Sequence, residues 1–310
     1  MGLCHFGSLI KFIPYTITTG FTSGIAVTIV IGQLKDFFGV TYPNGLKPIE
    51  TMEKLNAFAL GFSSFHVDAL IVGGVSLAIL IISPYIFKRI PGSLIAVVIG
   101  ILMVKFLPLH VSTIGNLYTI TNDLPSFHIP AVKFSMVKSA IPNAFTIAVL
   151  AAIESLLSCV VADGMINGKH RSDTELVAQG LGNIASALFG GIPATGAIAR
   201  TAANIKNGGR TPVAGMVHSI TLVIVLVVLM PFAGMIPMPT IAAILFVVAY
   251  NMCQWRTFVH MLKTAPKNDI IVLIVTFILT VVFDLVVAIE IGMVIACPVS
   301  YTHLRAHETS

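Results

Sequence analysis

Long runs of apolar residues alternate with short polar connections along most of the chain. Many runs are roughly 18 to 22 residues long, the length that a helix needs to cross the hydrocarbon core of a bilayer. The pattern therefore predicts an all-α polytopic membrane protein. We expect the tail of a helix over 1–12, a short helix starting near 195, and helices over 15–34, 66–87, 91–108, 141–162, 174–189, 212–231, 239–253, 269–283 and 285–297.

Two longer polar connections, Asn44–Lys54 and Leu109–Lys138, interrupt this pattern. The shorter connections carry basic residues that fall on one side of the membrane if the helices alternate, and the positive-inside rule makes that side cytoplasmic. The opposite connection between Met230 and Met238 has no basic residue. We therefore predict a multi-pass protein of the cell membrane, specifically the bacterial inner membrane. The basic residues are Lys11, Lys88, Arg89, Lys169, Arg171, Lys206, Arg210, Arg256, Lys263 and Lys267.

The composition supports a membrane protein and limits the kinds of partner and cofactor that we expect it to bind. Hydrophobic residues make up 56% of the chain and charged residues 10%, whereas soluble domains carry about 25% charged residues. The net charge is +5, but the cations are spread over loops and do not cluster, so we predict no nucleic-acid partner. The four cysteines lack metal-ligand spacing, and we predict neither a metal site nor a cofactor, apart from a coupling H⁺ or Na⁺.

One carboxylate, Glu154, lies inside the apolar stretch AFTIAVLAAIESLLSCVVAD. A charge at the bilayer centre costs about 2.5–3.5 kcal/mol, so such residues are typical of transport pathways. Ser158, four residues further on, shares its helical face, and Ser155 lies beside it. An acid and a hydroxyl on one face can bind a cation, carry a proton or hold a substrate. The alternative is a glutamate that only links two helices through hydrogen bonds.

The stretch FGGIPATGAIARTAAN, residues 189–204, breaks the apolar pattern differently. Two glycines and Pro193 exclude a regular spanning helix, and Thr195 is suited to begin the next helix. From Ala194 to Lys206 the chain is long enough for about half a crossing. Irregular backbone at membrane depth is tolerated where it is packed in protein or lines a cavity. We predict a broken half-helix near 190–206.

A half-helix that begins near the midplane directs free N–H groups and a positive dipole end into the cavity, which favours an anion. Arg200, about one and a half turns into the helix, adds a full positive charge. The alternative is an extracellular loop followed by a short interfacial helix. Short segments interrupted by Gly and Pro are typical of transporter sites, which favours the half-helix.

Four stretches together resemble the SulP family of sulfate-permease-like anion transporters, from the first residues to about Ala296. The resemblance implies an incomplete 7+7 inverted-repeat (UraA-like) transporter fold over 1–297, from the end of segment four to segment fourteen, and a homodimer in the complete protein. We expect the first four segments and a STAS domain to lie outside this chain. The stretches are RTPVAG, NIASALFGGIPATGAIARTAANIKNGGRTP, AAIESLLSCVVADGM and FIPYTITTGFTSGIAVTIVIGQLKDFFG.

The resemblance also implies roles for individual residues. Arg200 matches the cationic position near the bound anion, and Ser155 is assigned to the substrate. Glu154 and Ser158 match positions that coordinate sodium in sodium-coupled bicarbonate members. The family acid there is usually Asp, and the Glu favours proton coupling, because a carboxyl group removed from water binds a proton more readily. The residues that would line the half-helix end of the anion site are Thr195, Gly196, Ala197 and Ala199.

The predicted function is secondary active transport of a small anion (sulfate, bicarbonate or a dicarboxylate) by exchange or by H⁺ or Na⁺ symport. One alternative is a nucleobase–cation symporter of the same architecture, which usually carries an acid where this chain has Arg200. Another is an anion channel. An intramembrane enzyme is disfavoured, because the sequence has no HExxH motif, no paired intramembrane aspartates and no Ser/His pair in register.

The last residues differ abruptly from the apolar run before them. Pro298–Ser310 reads PVSYTHLRAHETS and resembles translated sequencing-adapter read-through. We expect this tail to be non-native and leave it out of the fold prediction.

Overall fold

The computed structural model describes residues 1–5, 7, 15–87, 90–119, 123–131 and 133–282. Within these ranges the regular structure is helical, and the β pairing is an isolated antiparallel bridge between Thr113 and Pro237. The α-helices are α1 (Tyr15–Phe38), α2 (Thr51–Gly61), α3 (Val67–Ile86), α4 (Gly92–Phe106), α5 (Ile114–Leu117), α6 (Phe134–Ile166), α7 (Ser172–Leu188), α8 (Ile198–Lys206), α9 (Val213–Ile224), α10 (Met230–Ala233), α11 (Met238–Cys253), α12 (Trp255–Thr264) and α13 (Lys267–Val282).

Five helical stretches of the described chain are long and apolar enough to cross a membrane, and α4 is a shorter apolar helix. A π-helical turn, Val225–Leu229, joins α9 to α10, so that they form one stretch without a buried residue. The prediction of a polytopic helical membrane protein is confirmed. The five stretches are Thr16–Phe38, Val67–Ile86, Phe134–Ile166, Val213–Ala233 and Met238–Thr264.

The predicted bounds are wrong by more than a few residues at the start of α6. This helix begins at Phe134 instead of 141, and therefore takes in the end of the predicted polar connection. Pro142 lies inside it, although proline usually breaks a helix because it lacks an N–H donor. The hydroxyl of Thr146 donates to the Pro142 carbonyl at 3.1 Å, one turn further along the helix.

The structure has two helices, α2 and α12, where the sequence pattern predicts none; charged residues interrupt the apolar positions of both. At the start of the chain, Gly2–Cys4 forms a 3-10 helix instead of the end of an α-helix. Several predictions concern residues outside the described ranges. These are the basic residues Lys11, Lys88 and Arg89, the helix over 285–297 and the tail 298–310.

The chain divides into two compact units. Unit 1 comprises Met1–Pro14 and Asp123–Val227, and unit 2 comprises Tyr15–Asn122 and Val228–Ser310. In unit 1, α6 packs against both α7 and α8. The first residues of the chain join this unit through Asp173, whose carboxylate lies 2.9 Å from His5 Nδ1 and accepts the Gly7 N–H at 2.9 Å.

In unit 2, α1 packs against α11 and α13, and α3 packs against α11 and α4. Two glycines four residues apart let α1 approach α13 closely. A Cβ on Gly20 would lie 2.6 Å from the carbonyl oxygen of Leu273, and one on Gly24 would lie 2.6 Å from Thr280 Cβ. Small residues at this spacing allow close helix packing in membranes, where van der Waals contact replaces the hydrophobic effect.

A buried polar pair adds a directional link in unit 2. The hydroxyls of Ser76 on α3 and Thr240 on α11 lie 2.9 Å apart. Gly100 on α4 leaves room for this pair, because a Cβ there would lie 2.5 Å from Thr240 Oγ1. Hydroxyl pairs of this kind fix the relative position of neighbouring membrane helices.

Replacing Gly24 with alanine is expected to lower the thermal stability of the purified protein by several degrees, equivalent to about 1–3 kcal/mol of overpacking. The matched control is Gly32→Ala on the same helix, where a Cβ would meet no atom within 4 Å. That change should be neutral or stabilising, because alanine favours a helix over glycine. Thermal aggregation in detergent measures both variants, and equal melting points would contradict the packing described for α1 and α13.

Candidate functional site

The break in the apolar pattern begins with the end of α7. Gly190 adopts a left-handed conformation with φ of 73°. Its N–H donates to the Ala187 carbonyl at 3.1 Å, and the Gly191 N–H donates to the Ser186 carbonyl at 2.8 Å. This is the usual way in which a glycine ends a helix and satisfies its last carbonyls. The two glycines therefore stop α7 and turn the chain back.

The segment 191–197 is not helical, and side chains of α7 satisfy its backbone. Asn183 holds Ala194 from both sides: its Oδ1 accepts the Ala194 N–H at 2.7 Å, and its Nδ2 donates to the Ala194 carbonyl at 2.9 Å. Gln179 Nε2 donates to the same carbonyl. Ser186 donates to the Ile192 carbonyl at 3.0 Å. A side-chain amide thus replaces the partners that a helix would have given this backbone.

The segment then contacts α6. The Thr195 hydroxyl donates to the carbonyl of Ala151 at 2.9 Å. Gly196 lies against the buried face of α6, because a Cβ on it would be 3.6 Å from Ser155 Oγ and 3.8 Å from Ser158 Cβ. The break is therefore packed against protein on two sides, by α7 and by α6.

The short helix α8 begins at Ile198 with Ala197 as its N-cap, three residues after the predicted start near 195. Thr195 does not cap the helix, since its hydroxyl is used by α6. The N-cap makes no side-chain hydrogen bond. The first helical bond runs from the Thr201 N–H to the Ala197 carbonyl at 2.9 Å.

The start of α8 leaves backbone donors open. The N–H groups of Ile198, Ala199 and Arg200 precede the first helical bond and have no acceptor within the helix. Arg200 is the third residue of α8, in its first turn, and its side chain is exposed. It forms no ion pair with another residue in the described ranges. Open N–H groups and a nearby guanidinium give this end of α8 a positive potential.

The face of α6 next to α8 carries the predicted polar residues. Ser155 and Ser158 are 2% and 4% exposed, respectively. The Ser158 hydroxyl donates to Thr201 Oγ1 at 2.8 Å, which links α6 to α8. The Ser155 hydroxyl donates to Glu175 Oε1 at 3.1 Å, which links α6 to α7. Glu154 is half-buried, and its carboxylate makes no hydrogen bond or ion pair with the residues that the structure describes.

The structure thus brings Ser155 and Ser158 of α6 close to Gly196 and α8, although the side chain of Ala199 lies outside the described part. Sequence reasoning missed four residues that build this arrangement. Gln179 and Asn183 could have been found from their spacing of four on an otherwise small and apolar helix. Glu175 and Thr201 gave no such signal, because each lies in the first turn of its helix, where polar residues are common. Within the described ranges, no group of three or more His, Cys, Asp or Glu side chains could hold a metal ion.

Comparison with known proteins shows the family to which this chain belongs. The model of the sulfate permease family matches residues 1–276, and the chain belongs to this family of membrane transporters. It is 41% identical over 302 residues to YvdB of Bacillus subtilis, named as a candidate sulfate transporter, covering 95% of this chain and 56% of the relative. It is 34% identical over 297 residues to the bicarbonate transporter BicA of Picosynechococcus, and the match covers 95% of this chain and 52% of the relative. The chain thus spans about half the length of these relatives.

Solved structures agree in fold. The transmembrane domain of a cyanobacterial bicarbonate transporter, BicA, superposes with a TM-score of 0.78 at 29% identity, covering 93% of this chain and 71% of that chain. The murine anion transporter Slc26a9, in its inward-facing state, gives a TM-score of 0.82 at 21% identity, and the match covers 94% of this chain and 48% of that chain. The chain therefore has the UraA-like fold of this family and is a multi-pass protein of the cell membrane.

Replacing Asn183 with alanine is expected to release the 191–197 segment, because the Ala194 backbone loses two hydrogen bonds, each worth about 1 kcal/mol. Limited proteolysis should then cut the purified protein within this segment, while helix content by circular dichroism stays unchanged. Asn251→Ala, at an exposed position of α11, is the control and should leave the digestion pattern as it is. Resistance of both variants would show that the amide does not hold the segment.

Proposed function

We propose that this chain supplies part of a secondary active transporter for a small anion, with the anion bound where the 191–197 segment meets α8. Membership of the sulfate permease family supports transport as the activity. The observation that carries the site is the uncapped start of α8, which offers open N–H groups beside the buried hydroxyl face of α6. A helix start of this kind is a ready anion site.

The anion contacts follow from the backbone. In the proposed site the N–H groups of Ile198 and Ala199 donate to the anion, and Gly196 and Ala197 leave room for it because they lack bulky side chains. Arg200 supplies the full positive charge. Thr195 contributes indirectly, since its hydroxyl is bound to α6 and fixes the backbone on which the site depends. Ser155 adds a hydroxyl oxygen on the side of the proposed site that α6 forms.

The coupling ion is proposed to bind on the same face of α6. Glu154 offers a half-buried carboxylate without a protein partner among the described residues. Ser158 lies one turn further along and its hydroxyl is paired with Thr201. A carboxylate and two hydroxyl oxygens suit either Na⁺, through its oxygen ligands, or a proton carried by the carboxylate. We propose proton coupling, because this position holds a glutamate.

The substrate class is proposed from the relatives and the site chemistry. Names of similar proteins refer to sulfate and to bicarbonate, and a site built largely from backbone donors accepts either of these anions or a dicarboxylate. A nucleobase is disfavoured because α8 carries Arg200 rather than an acid. We also propose that the complete protein forms a homodimer. Saturable uptake and counterflow in proteoliposomes distinguish this carrier from an anion channel.

Replacing Arg200 with alanine is expected to raise the KM for the transported anion about tenfold or more, because a charge-assisted hydrogen bond is worth about 1.5–3 kcal/mol. Radiolabelled sulfate and bicarbonate uptake into proteoliposomes measures the effect, with membrane expression checked separately. Arg210→Ala is the matched control, since Arg210 is also exposed but follows the other end of α8. An unchanged KM in Arg200→Ala would show that the anion binds elsewhere.

Replacing Glu154 with glutamine is expected to abolish the dependence of uptake on an inward proton gradient while anion exchange continues. The glutamine keeps the size of the side chain but cannot exchange a proton. Uptake is measured at a series of external pH values, with Glu50→Gln at an exposed site before α2 as the control. If the pH dependence of Glu154→Gln equals that of the unmodified protein, proton coupling through Glu154 is wrong. A loss of sodium dependence instead would assign the site to Na⁺.

A further inference from the structure

The short helix α12 separates its polar and apolar sides sharply. Its exposed side chains are those of basic or polar residues at a spacing of three or four, together with Trp255 at the first position. The apolar residues between them are half-buried. Helices with this separation and a basic polar side lie in the plane of the membrane interface. The exposed polar residues are Arg256, His260, Lys263 and Thr264, and the half-buried apolar residues are Phe258, Val259, Met261 and Leu262.

A break in the backbone sets α12 apart from the membrane-spanning helix before it. Gln254 adopts a left-handed conformation with φ of 43°, so α11 does not continue straight into α12. The end of α11 is fixed by Ser23 of α1, whose hydroxyl donates to the Cys253 carbonyl at 2.8 Å. On the apolar side of α12, the ring of Phe258 lies 5.3 Å from the ring of Phe277 on α13. Unit 2 therefore holds α12 by its apolar side and leaves its basic side outward.

An aromatic pair at the start of α12 indicates the depth of this point in the membrane. The Trp255 Nε1–H donates to the Tyr250 hydroxyl at 3.3 Å, and the two residues are 47% and 63% exposed. Exposed tryptophan and tyrosine residues are enriched where the hydrocarbon core meets the headgroups. The basic connections place this end of α11 on the cytoplasmic side, whose leaflet carries anionic lipids.

The charged residues on α12 and at the start of α13, before Asp269, are all basic. Arg256 and Lys263 lie on its exposed side, Lys267 follows at the first residue of α13, and the nearest acid in sequence is the half-buried Asp269. The guanidinium carbon of Arg256 lies 6.0 Å from the centre of the Trp255 ring. Neither lysine forms an ion pair with another described residue. An exposed cationic surface at headgroup level is complementary to phosphate groups.

We propose that this surface, formed by Arg256, Lys263 and Lys267 and named the basic side of α12, binds anionic phospholipid headgroups of the cytoplasmic leaflet. The lipid phosphates pair with the cations, and Trp255 rests at the level of the upper acyl chains. The residues of this surface lie in unit 2, whereas those of the proposed anion site lie in unit 1.

Tryptophan fluorescence can test this proposal without an added label. Trp255 is its single tryptophan, so intrinsic fluorescence reports on the start of α12. The protein is reconstituted in mixed vesicles of phosphatidylcholine and phosphatidylglycerol, with brominated acyl chains on one lipid or on the other. Bromine quenches tryptophan only at contact. We expect brominated phosphatidylglycerol to quench more strongly than brominated phosphatidylcholine at equal mole fraction. Added salt should reduce this preference, because exposed charge pairs are screened.

The test variant is Lys263→Gln combined with Lys267→Gln, which leaves both Trp255 and Arg256 in place. The preference for phosphatidylglycerol is expected to fall about fivefold for each lysine removed. The matched control, Lys47→Gln with Lys133→Gln, removes the same charge from two exposed positions elsewhere in the chain. The control should keep the preference of the unmodified protein.

Two results would overturn the proposal. Equal quenching by the two brominated lipids in the unmodified protein would show that α12 does not select anionic lipid, and would leave an acidic protein surface as its partner. An equal loss of preference in the control variant would show that net charge, and not the basic side of α12, attracts the lipid. Because fluorescence is read without transport, neither result depends on the anion site.

Discussion

Inside a membrane, every backbone N–H and C=O must find its partner within the protein, and the site proposed here depends on how one broken segment meets that requirement. The chain leaves helical geometry between α7 and α8, where a lipid-exposed break would leave several polar groups unsatisfied. The amide of Asn183 takes the place of a neighbouring backbone by pairing with both polar groups of Ala194. With that pairing in place, α8 begins beside α6 with its first N–H groups open.

The same requirement explains the distribution of hydroxyl groups. Ser155 and Ser158 are buried, and each donates a hydrogen bond to a different neighbouring helix. They hold α6 at a defined distance from its two neighbouring helices. Glu154, in contrast, lacks a partner among the described residues. A carboxylate without a partner is poorly explained as a link between helices, and this favours an exchangeable ion as what neutralises it.

Much of the fold could be predicted from the sequence, because the bilayer imposes a length on each apolar run. The start of α6 was misplaced since Pro142 resembles a helix boundary, and α12 was missed since its basic residues resemble a cytoplasmic loop. At the site, the residue types and the break were predicted from Gly190, Gly191 and Pro193. Their partners were not predicted, because the spacing of Gln179 and Asn183 indicates a polar face of α7 but not what that face contacts, and Glu175 becomes significant only when α7 is placed beside α6. Contacts of this kind depend on tertiary packing and leave no local pattern.

The hydrogen bond between Ser158 and Thr201 has a consequence for the order of events during transport. It joins the helix that carries Glu154 to the helix whose start is the proposed anion site. Under the proposed function, a displacement of α6 would carry α8 with it, so that the two ligands would change their access to water in the same step. On the proposed assignment, neither ion can be released while the other remains enclosed. The coupling between the two ligands would then depend on the packing of α6 against α8, in which the Ser158–Thr201 pair is the hydrogen-bonded link.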